Sequence, residues 1–509
     1  MRSVHLTTAL SCLCACASVA GAQDRAEAPM LAIEIQATGS SPVNSQTSTA
    51  PTDGRRWLAG DHHVHSRFSA KYSALPGSPN IPPPPELGGD GNNTIIRNAE
   101  MASQFGLSWM VSTDHGGPLH AQLNADQAYP ELLQARNAVP ELILFYGMEF
   151  DTPGAEHSSL IIPQSDHERE DLLHLESRYG RREPWPVDPA RNAESLMITA
   201  LQDMGTMSPR PVVVVNHPSR SATDPGVYGD VRPAQLRDWS EVQPRVVIGM
   251  EGAPGHQADG LFADGSADPA GSRGIYRRFP TMGGFDQMTA RIGGVWDSML
   301  GEGRRWWITA TSDSHRNVAE GGDDFWPGQY AKTYVLARPE AADILNALRE
   351  GRIFVTTGDL ISELDMTLAA SGRSASIGGE LNVASNADVV VTIQVRDPRA
   401  ANAAGRMPHV DHIDLIVGDM TGPQADRALD ANPTTRVEHR FTASDWAVDG
   451  EVLTMTYRLP AAEGSRYIRV RGSGSPELEP APDAAGENPW SDLWFYGNPA
   501  FISVSDSTK

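Results

Sequence analysis

Beyond Cys16 the 509-residue chain contains no cysteine; its three cysteines, Cys12, Cys14 and Cys16, sit together near the start. That excludes a disulfide framework, a thiolate nucleophile and a cysteine-ligated zinc site for everything that follows. Long apolar runs are missing too. The longest near the N-terminus, "LTTALSCLCACASVA", is too short to cross a bilayer. Positive charge is scarce: 41 Lys and Arg face 64 Asp and Glu, a formal net charge of −23. Such a balance argues against nucleic acid or anionic membranes as partners. An anionic substrate would need a local positive centre. No fixed-period repeat is present.

What the N-terminus does contain reads as an export signal. Arg2 supplies a positive start, the apolar run follows, and "AGA" at 20–22 offers a cleavage site before Gln23. The expectation is a signal peptide over 1–22 and a periplasmic or secreted mature chain. Lipid anchoring at Cys16 in "LCAC" is the less favoured route. Residues 23–54 read as a strand, "MLAIEI", followed by a linker rich in Ser, Thr and Pro.

Past Arg55 the texture changes. Apolar, β-rich runs recur, among them "RWLAGDHHVH", "LSWMVSTDH", "ILFYGMEF", "PVVVVNHP" and "RWWITATSDSH". Plausible helices such as "NTIIRNAEMASQFG" and "EAADILNALREG" alternate with them. This alternation predicts a parallel sheet or α/β barrel over 55–362, with functional residues at the C-terminal ends of strands. From 363 to 509, runs such as "DVVVTIQVRD" and "VLTMTYRLP" alternate in polarity with little helical signal, which predicts an appended β-sandwich.

The strand ends carry His63 and His65, Asp114 and His115, Glu149, His157, His217, and Asp313 with His315. His63 and His65 are spaced to project from one face of an extended segment. Imidazole and carboxylate together suit zinc, manganese or iron. The set is too large for one ion, and a carboxylate such as Glu149 can bridge two. Asp114 is read as orienting a neighbouring imidazole rather than as a ligand. His62, His174, His256, His409 and His412 are read as ordinary structural or surface histidines.

In order, "GDHHVHS", "STDHG", "GMEFDTPGAEH", "NHP", "SDSH" and "GRIFVTTG" resemble the PHP (polymerase and histidinol phosphatase) superfamily of metal-dependent hydrolases over about 56–360. The CehA/McbA-like metallohydrolases look most similar, with "PWSDLWFYGNPAFI" matching their usual ending. The resemblance implies a distorted (β/α)7 PHP barrel with a two- or three-metal centre. It places His63, His65, Glu149 and Asp313 on a first metal, and Glu149, His157 and His217 on a second. His115 and His315 would hold a third, or act as acid or oxyanion partners. The family's further ligand for that site is expected in the loop after the first motif, where this chain has Ala70 and Lys71. The expectation is therefore two divalent ions, a third being left open, with Lys71 beside the substrate.

The preferred chemistry is attack by hydroxide on a phosphoester of a small, anionic molecule, with Arg67, Lys71 and Arg220 as substrate-binding candidates. Hydrolysis of a carboxylic or carbamic ester or amide is the alternative. A non-enzymatic surface binding protein is the reading from another class. The long, turn-rich loop over 66–93 is read as a lid.

Overall fold

The computed structural model describes residues 53–73, 80–460 and 464–505. The export signal, the three cysteines, the strand expected at "MLAIEI" and all but the last two residues of the linker lie outside them.

Seven strands carry the part of the molecule that matters for function: β1 (Arg56–Asp61), β2 (Trp109–His115), β3 (Ile143–Asp151), β4 (His157–Ile162), β5 (Val212–Val215), β6 (Val247–Ala253) and β7 (Trp307–Ala310). They lie side by side in sequence order within one large sheet, and β8 (Ala331–Ala337) and β9 (Ile353–Thr357) extend it beyond β1. Helices such as Ile95–Gln104, Tyr129–Ala138, Glu194–Thr206, Pro233–Val242 and Ala341–Glu350 fill the connections. The strands are apolar and buried along most of their length, as expected of strands covered on both faces. The last of these helices ends at Gly351, whose left-handed backbone (φ 68°) stops it. A Cβ at Gly351 would also lie 2.5 Å from the Trp307 ring, so helix end and strand packing demand the same residue.

Two expectations change here. The sheet is mixed rather than parallel: β1, β2 and β3 are parallel, as are β5, β6 and β7, but β4 runs antiparallel to both its neighbours. The short "TPGAE" connection explains this, since five residues allow a reversal but no crossover. The strand ladder also stays open, without a closed barrel. Between β7 and the β1–β8 edge the links include one parallel bridge, Val64 to Ser314, the Ser312 N–H donated to Asp61 Oδ2 at 3.0 Å, and the Thr333 hydroxyl bonded at 2.8 Å to both the N–H and the C=O of Ala310.

The C-terminal region is layered, yet it is not simply appended. Glu363–Ala370, Val389–Arg396 and Val452–Leu459 form an antiparallel sheet with two short edge strands. Buried and half-exposed residues alternate along Val389–Arg396, the pattern of a sheet with one face inward. The other layer continues the large sheet, because Trp494–Gly497 pairs antiparallel with β9. Asn498 then bonds through its side-chain amide to the N–H and C=O of Ile308 at 2.9 Å each, covering the free edge of β7. Buried ion pairs reinforce the join: Arg469 grips Asp297 at 2.7 Å, and Arg273 lies 3.0 Å from Glu487 and 3.1 Å from Asp492.

Candidate metal centre

The register of the strands assembles the site. His115 at the end of β2 lies opposite Glu149 on β3, and Asp151 lies opposite His157. Because β4 is reversed, His157 reaches this rim from the start of its strand and not from its end, as the sequence reading had it. His63 and His65 follow β1 on either side of Val64, whose side chain is fully buried while its backbone bridges Ser314. Their rings sit 5.0 Å apart on one face. His217 follows β5, and Asp313 and His315 follow β7.

Glu149 lies at the centre. One of its oxygens, Oε1, is 3.1 Å from His63 Nε2, 3.0 Å from His217 Nε2 and 3.2 Å from His157 Nδ1. The other, Oε2, is 2.7 Å from His115 Nδ1 and 3.7 Å from His65 Nε2. Asp313 Oδ1 lies 3.0 Å from both His63 Nε2 and His65 Nε2. Burial alone would raise the Glu149 and Asp313 carboxyls; for Glu149 the His157, His63 and His115 rings, and for Asp313 the His256 and His63 rings, hold them well below the usual range. Burial, together with His315 and His115 beside it, pushes His65 well down, so that ring is neutral.

The tautomers follow from the outer contacts. His63 Nδ1 lies 2.7 Å from Glu251 Oε1, and Glu251 Oε2 accepts the backbone N–H of His217 at 2.6 Å. Ser69 donates its hydroxyl to Asp114 at 2.9 Å, so it accepts from His65 Nδ1 at 2.8 Å. Asp114 thus bears on His65 through Ser69 and touches none of the inward-facing atoms. With Nδ1 protonated and the ring neutral, the Nε2 lone pair of His65 faces carboxylate oxygens, which repel it unless a cation lies between. At His63, burial is outweighed by Asp313, Glu149 and Glu251, which raise the ring well above its usual value, so a proton or a metal ion is favoured at Nε2. Among the described residues, His65 Nε2, His115 Nδ1, His157 Nδ1, Glu149 Oε2 and Asp313 Oδ1 are buried without a hydrogen-bond partner. Leaving so many orphaned polar atoms is costly. Nitrogen and oxygen donors of this kind fit divalent ions, and three groups, His63–His65–Glu149, His115–Glu149–His157 and His256–Asp313–His315, each bring three donor atoms within 4.8 Å of one another.

Sequence reasoning missed four residues of the centre. Asp90 reaches in from the loop read as a lid, with Oδ2 3.4 Å from His115 Nε2 and 3.9 Å from His315 Nε2. Its place, 25 residues after His65 in a Gly- and Asn-rich stretch, gave no motif to follow. His256, read as ordinary, lies with Nε2 2.9 Å from Asp313 Oδ2. Glu251, at the end of the run "RVVIGMEG", had the signal of a strand-end carboxylate. Asn216, next to His217, donates to Glu149 Oε1 at 3.1 Å.

Two clefts open from the centre, sharing Asp90, His115 and Arg220. One, about 370 Å3, is polar and includes His256, Arg316 and Asp324; the other, about 580 Å3, includes Lys71, Tyr72, Arg182, Trp185 and Val187. Lys71 is exposed, with Nζ 3.7 Å from Asp90 Oδ1. Arg67 lines neither cleft; its guanidinium is tied to Glu131 at 2.5 Å. His62 is buried between the Ser159 and Thr309 hydroxyls, outside the centre, as expected of a structural histidine.

No protein-family model and no curated protein matches the chain. Among solved structures, a chitin binding domain from Burkholderia pseudomallei aligns at 10% identity over 25% of this chain and 57% of that chain, with a TM-score of 0.15. Endonuclease Q, in complex with a 27-mer duplex bearing an abasic lesion, aligns at 18% identity over 41% of this chain and 47% of its own, with a TM-score of 0.21. The chain thus spans about half the length of each, and likenesses of this size decide neither fold nor activity.

Proposed function

We propose that the chain is a divalent-metal-dependent hydrolase of the PHP type acting on a small anionic phosphoester. The observation that carries this reading is Glu149, buried among five imidazoles with one of its oxygens, Oε2, and the facing His65 Nε2, His115 Nδ1 and His157 Nδ1 all without a hydrogen-bond partner. The order of the strands that deliver these residues supports a barrel of PHP type with its seam left open.

In this reading His63, His65, Glu149 and Asp313 hold one ion, and Glu149, His157 and His217 hold a second. Asp90 with His115 and His315 forms a third group, which replaces the acid role considered for those two histidines. Bound ions supply Lewis acidity and bring water to a nucleophilic state near neutral pH. The chain's own residues do the rest. Glu251, and Asp114 through Ser69, fix the rings of His63 and His65 so that their lone pairs point inward. Arg220, which lines both clefts and stands 3.9 Å from Asp313 and from Glu156, is placed to orient an anion at the mouth. That positive group in a chain of −23 favours a phosphoester over a neutral carbonyl ester.

The test is a panel of nitrophenyl phosphates and phosphodiesters against nitrophenyl acetate and aryl carbamates, on protein of known metal content. Turnover of the phosphoesters, lost with chelator and restored with Zn, Mn or Fe, is the expected result. Turnover of the carbonyl esters alone would move the assignment to the alternative class. We also propose export, with a mature N-terminus near Gln23; N-terminal sequencing from the native host that found Met1 would refute it.

A further inference from the structure

The segment "APGHQ" after β6 approaches the Asp313 turn more closely than any side chain at residue 255 would allow. A Cβ on Gly255 would lie 2.0 Å from Asp313 Cβ and 2.4 Å from the Ser312 carbonyl. On either side of this contact stand two non-glycine residues in the left-handed region, His256 (φ 52°) and Asp313 (φ 47°). Each such conformation is unfavourable for a residue with a Cβ and persists where the surroundings impose it. Here they face each other across the rim of the metal centre.

We propose that His256, held by Asp324, is a positioning residue that sets the orientation of the Asp313 carboxylate; this rests on the metal-centre reading above. His256 Nε2 lies 2.9 Å from Asp313 Oδ2, and Nδ1 lies 2.5 Å from Asp324 Oδ1. The last torsion of an aspartate is broad and two-fold, so a partner on one oxygen is what fixes the plane of the group. With Oδ2 engaged by His256, Oδ1 is the oxygen left facing His63 and His65. Asp324 does two things at once. Its Oδ1 holds the His256 ring, while its Oδ2 accepts the backbone N–H of His315 at 2.6 Å and of Arg316 at 3.0 Å. The His256 ring also stacks on His315, with centroids 5.2 Å apart. One buried carboxylate thereby couples the placing of Asp313 to that of His315.

His256 lies close enough to Asp313 and His315 to serve as a ligand itself. His63 also has carboxylates at both ring nitrogens, but its Nε2 faces Asp313 Oδ1 and Glu149 together, whereas His256 Nε2 lies by Asp313 Oδ2, the oxygen turned away from His63 and His65. That placement, with Nδ1 held by Asp324, suits a partner of Asp313 rather than a ligand.

The experiment uses the full chain purified without chelator, comparing wild type with His256→Ala, His256→Gln and Asp324→Asn. Metal equivalents are read by elemental analysis and affinity by competition with a chromophoric chelator, with circular dichroism checking the fold. The expected result is unchanged stoichiometry at saturating metal, with one class of site weakened about 10–100-fold in His256→Ala. His256→Gln, which keeps a donor, should recover part of that loss, and Asp324→Asn should weaken the same site. Loss of a whole equivalent in both His256 variants would make His256 a ligand and overturn the proposal. Affinity within a few-fold of wild type would overturn it as well. A wild-type chain that binds no metal would overturn the metal-centre reading and this proposal together, whereas a loaded wild type with indifferent variants overturns this one alone.

Discussion

Asp90 Oδ2 stands 3.4 Å from His115 Nε2, although the two residues come from a loop and a strand with a helix between them in sequence. Lys71 is also beside Asp90, at 3.7 Å. The lysine therefore has a carboxylate partner, and His115 and His315 have beside them a carboxylate oxygen that Ala70 and Lys71 do not provide.

It follows that Asp90→Ala should lower metal content by up to one equivalent per chain, with His63, His65 and Glu149 still loaded. Elemental analysis of wild type and variant at matched free metal checks this. Equal content in both would leave the centre at two ions, the number expected from the sequence.

Glu149→Gln should be far more damaging than its size suggests. An amide has one donor group and one acceptor oxygen, so it cannot present acceptors to His63, His157 and His217 on one side and to His115 on the other. Activity on the best phosphoester should fall on the order of 100-fold or more, the scale for removing one well-placed electrostatic group. A fall of only a few-fold at saturating metal would remove Glu149 from the centre.

Away from the metal centre, His120 is fully buried, with Nδ1 2.6 Å from Glu176 Oε1 and Nε2 3.0 Å from the Phe68 carbonyl. Burial alone would lower it, but Glu176, the Phe68 carbonyl and Asp114 raise it to about 9. A folded value above the unfolded 6.5 means that the stabilisation is complete below about 6.5 and is lost as pH rises through about 9. The swing is roughly 3 kcal/mol at most. Denaturant unfolding of wild type should show this decline between pH 6.5 and 9, and His120→Gln should flatten it. Parallel slopes in the two proteins would show that the pair does not titrate with folding.

Asp297 and Arg469 form a fully buried pair joining the helix before β7 to a C-terminal strand. Removing one partner strands the other charge, so Asp297→Ala should cost about 3–5 kcal/mol. Because the large sheet runs through both regions, unfolding should lower in temperature as one transition. Two transitions, with the barrel-like part unmoved, would show that the C-terminal layers unfold separately.

Much of this was legible in the chain itself. The α/β alternation, the layered C-terminal strands and the inward-facing side chains of His63, His65, Glu149 and Asp313 all left local marks, because a strand ending in an ionisable residue is a short-range pattern. The reversal of β4 was hidden, since an apolar run has no direction of its own and only the brevity of its connection reveals it. The open seam was hidden as well: whether β7 pairs with β1 depends on Thr333 and Asn498, which are distant in sequence. His256 and Asp90 escaped for the same reason. A lone histidine after glycine and a lone aspartate in a long loop look like many others, and their meaning comes from which groups the fold sets within 4 Å of them. Residue chemistry and spacing determined that the chain could build a cage of imidazoles and carboxylates. Tertiary structure alone decided which oxygens and nitrogens face inward, because that depends on contacts between segments as far apart as His63 and Asp313.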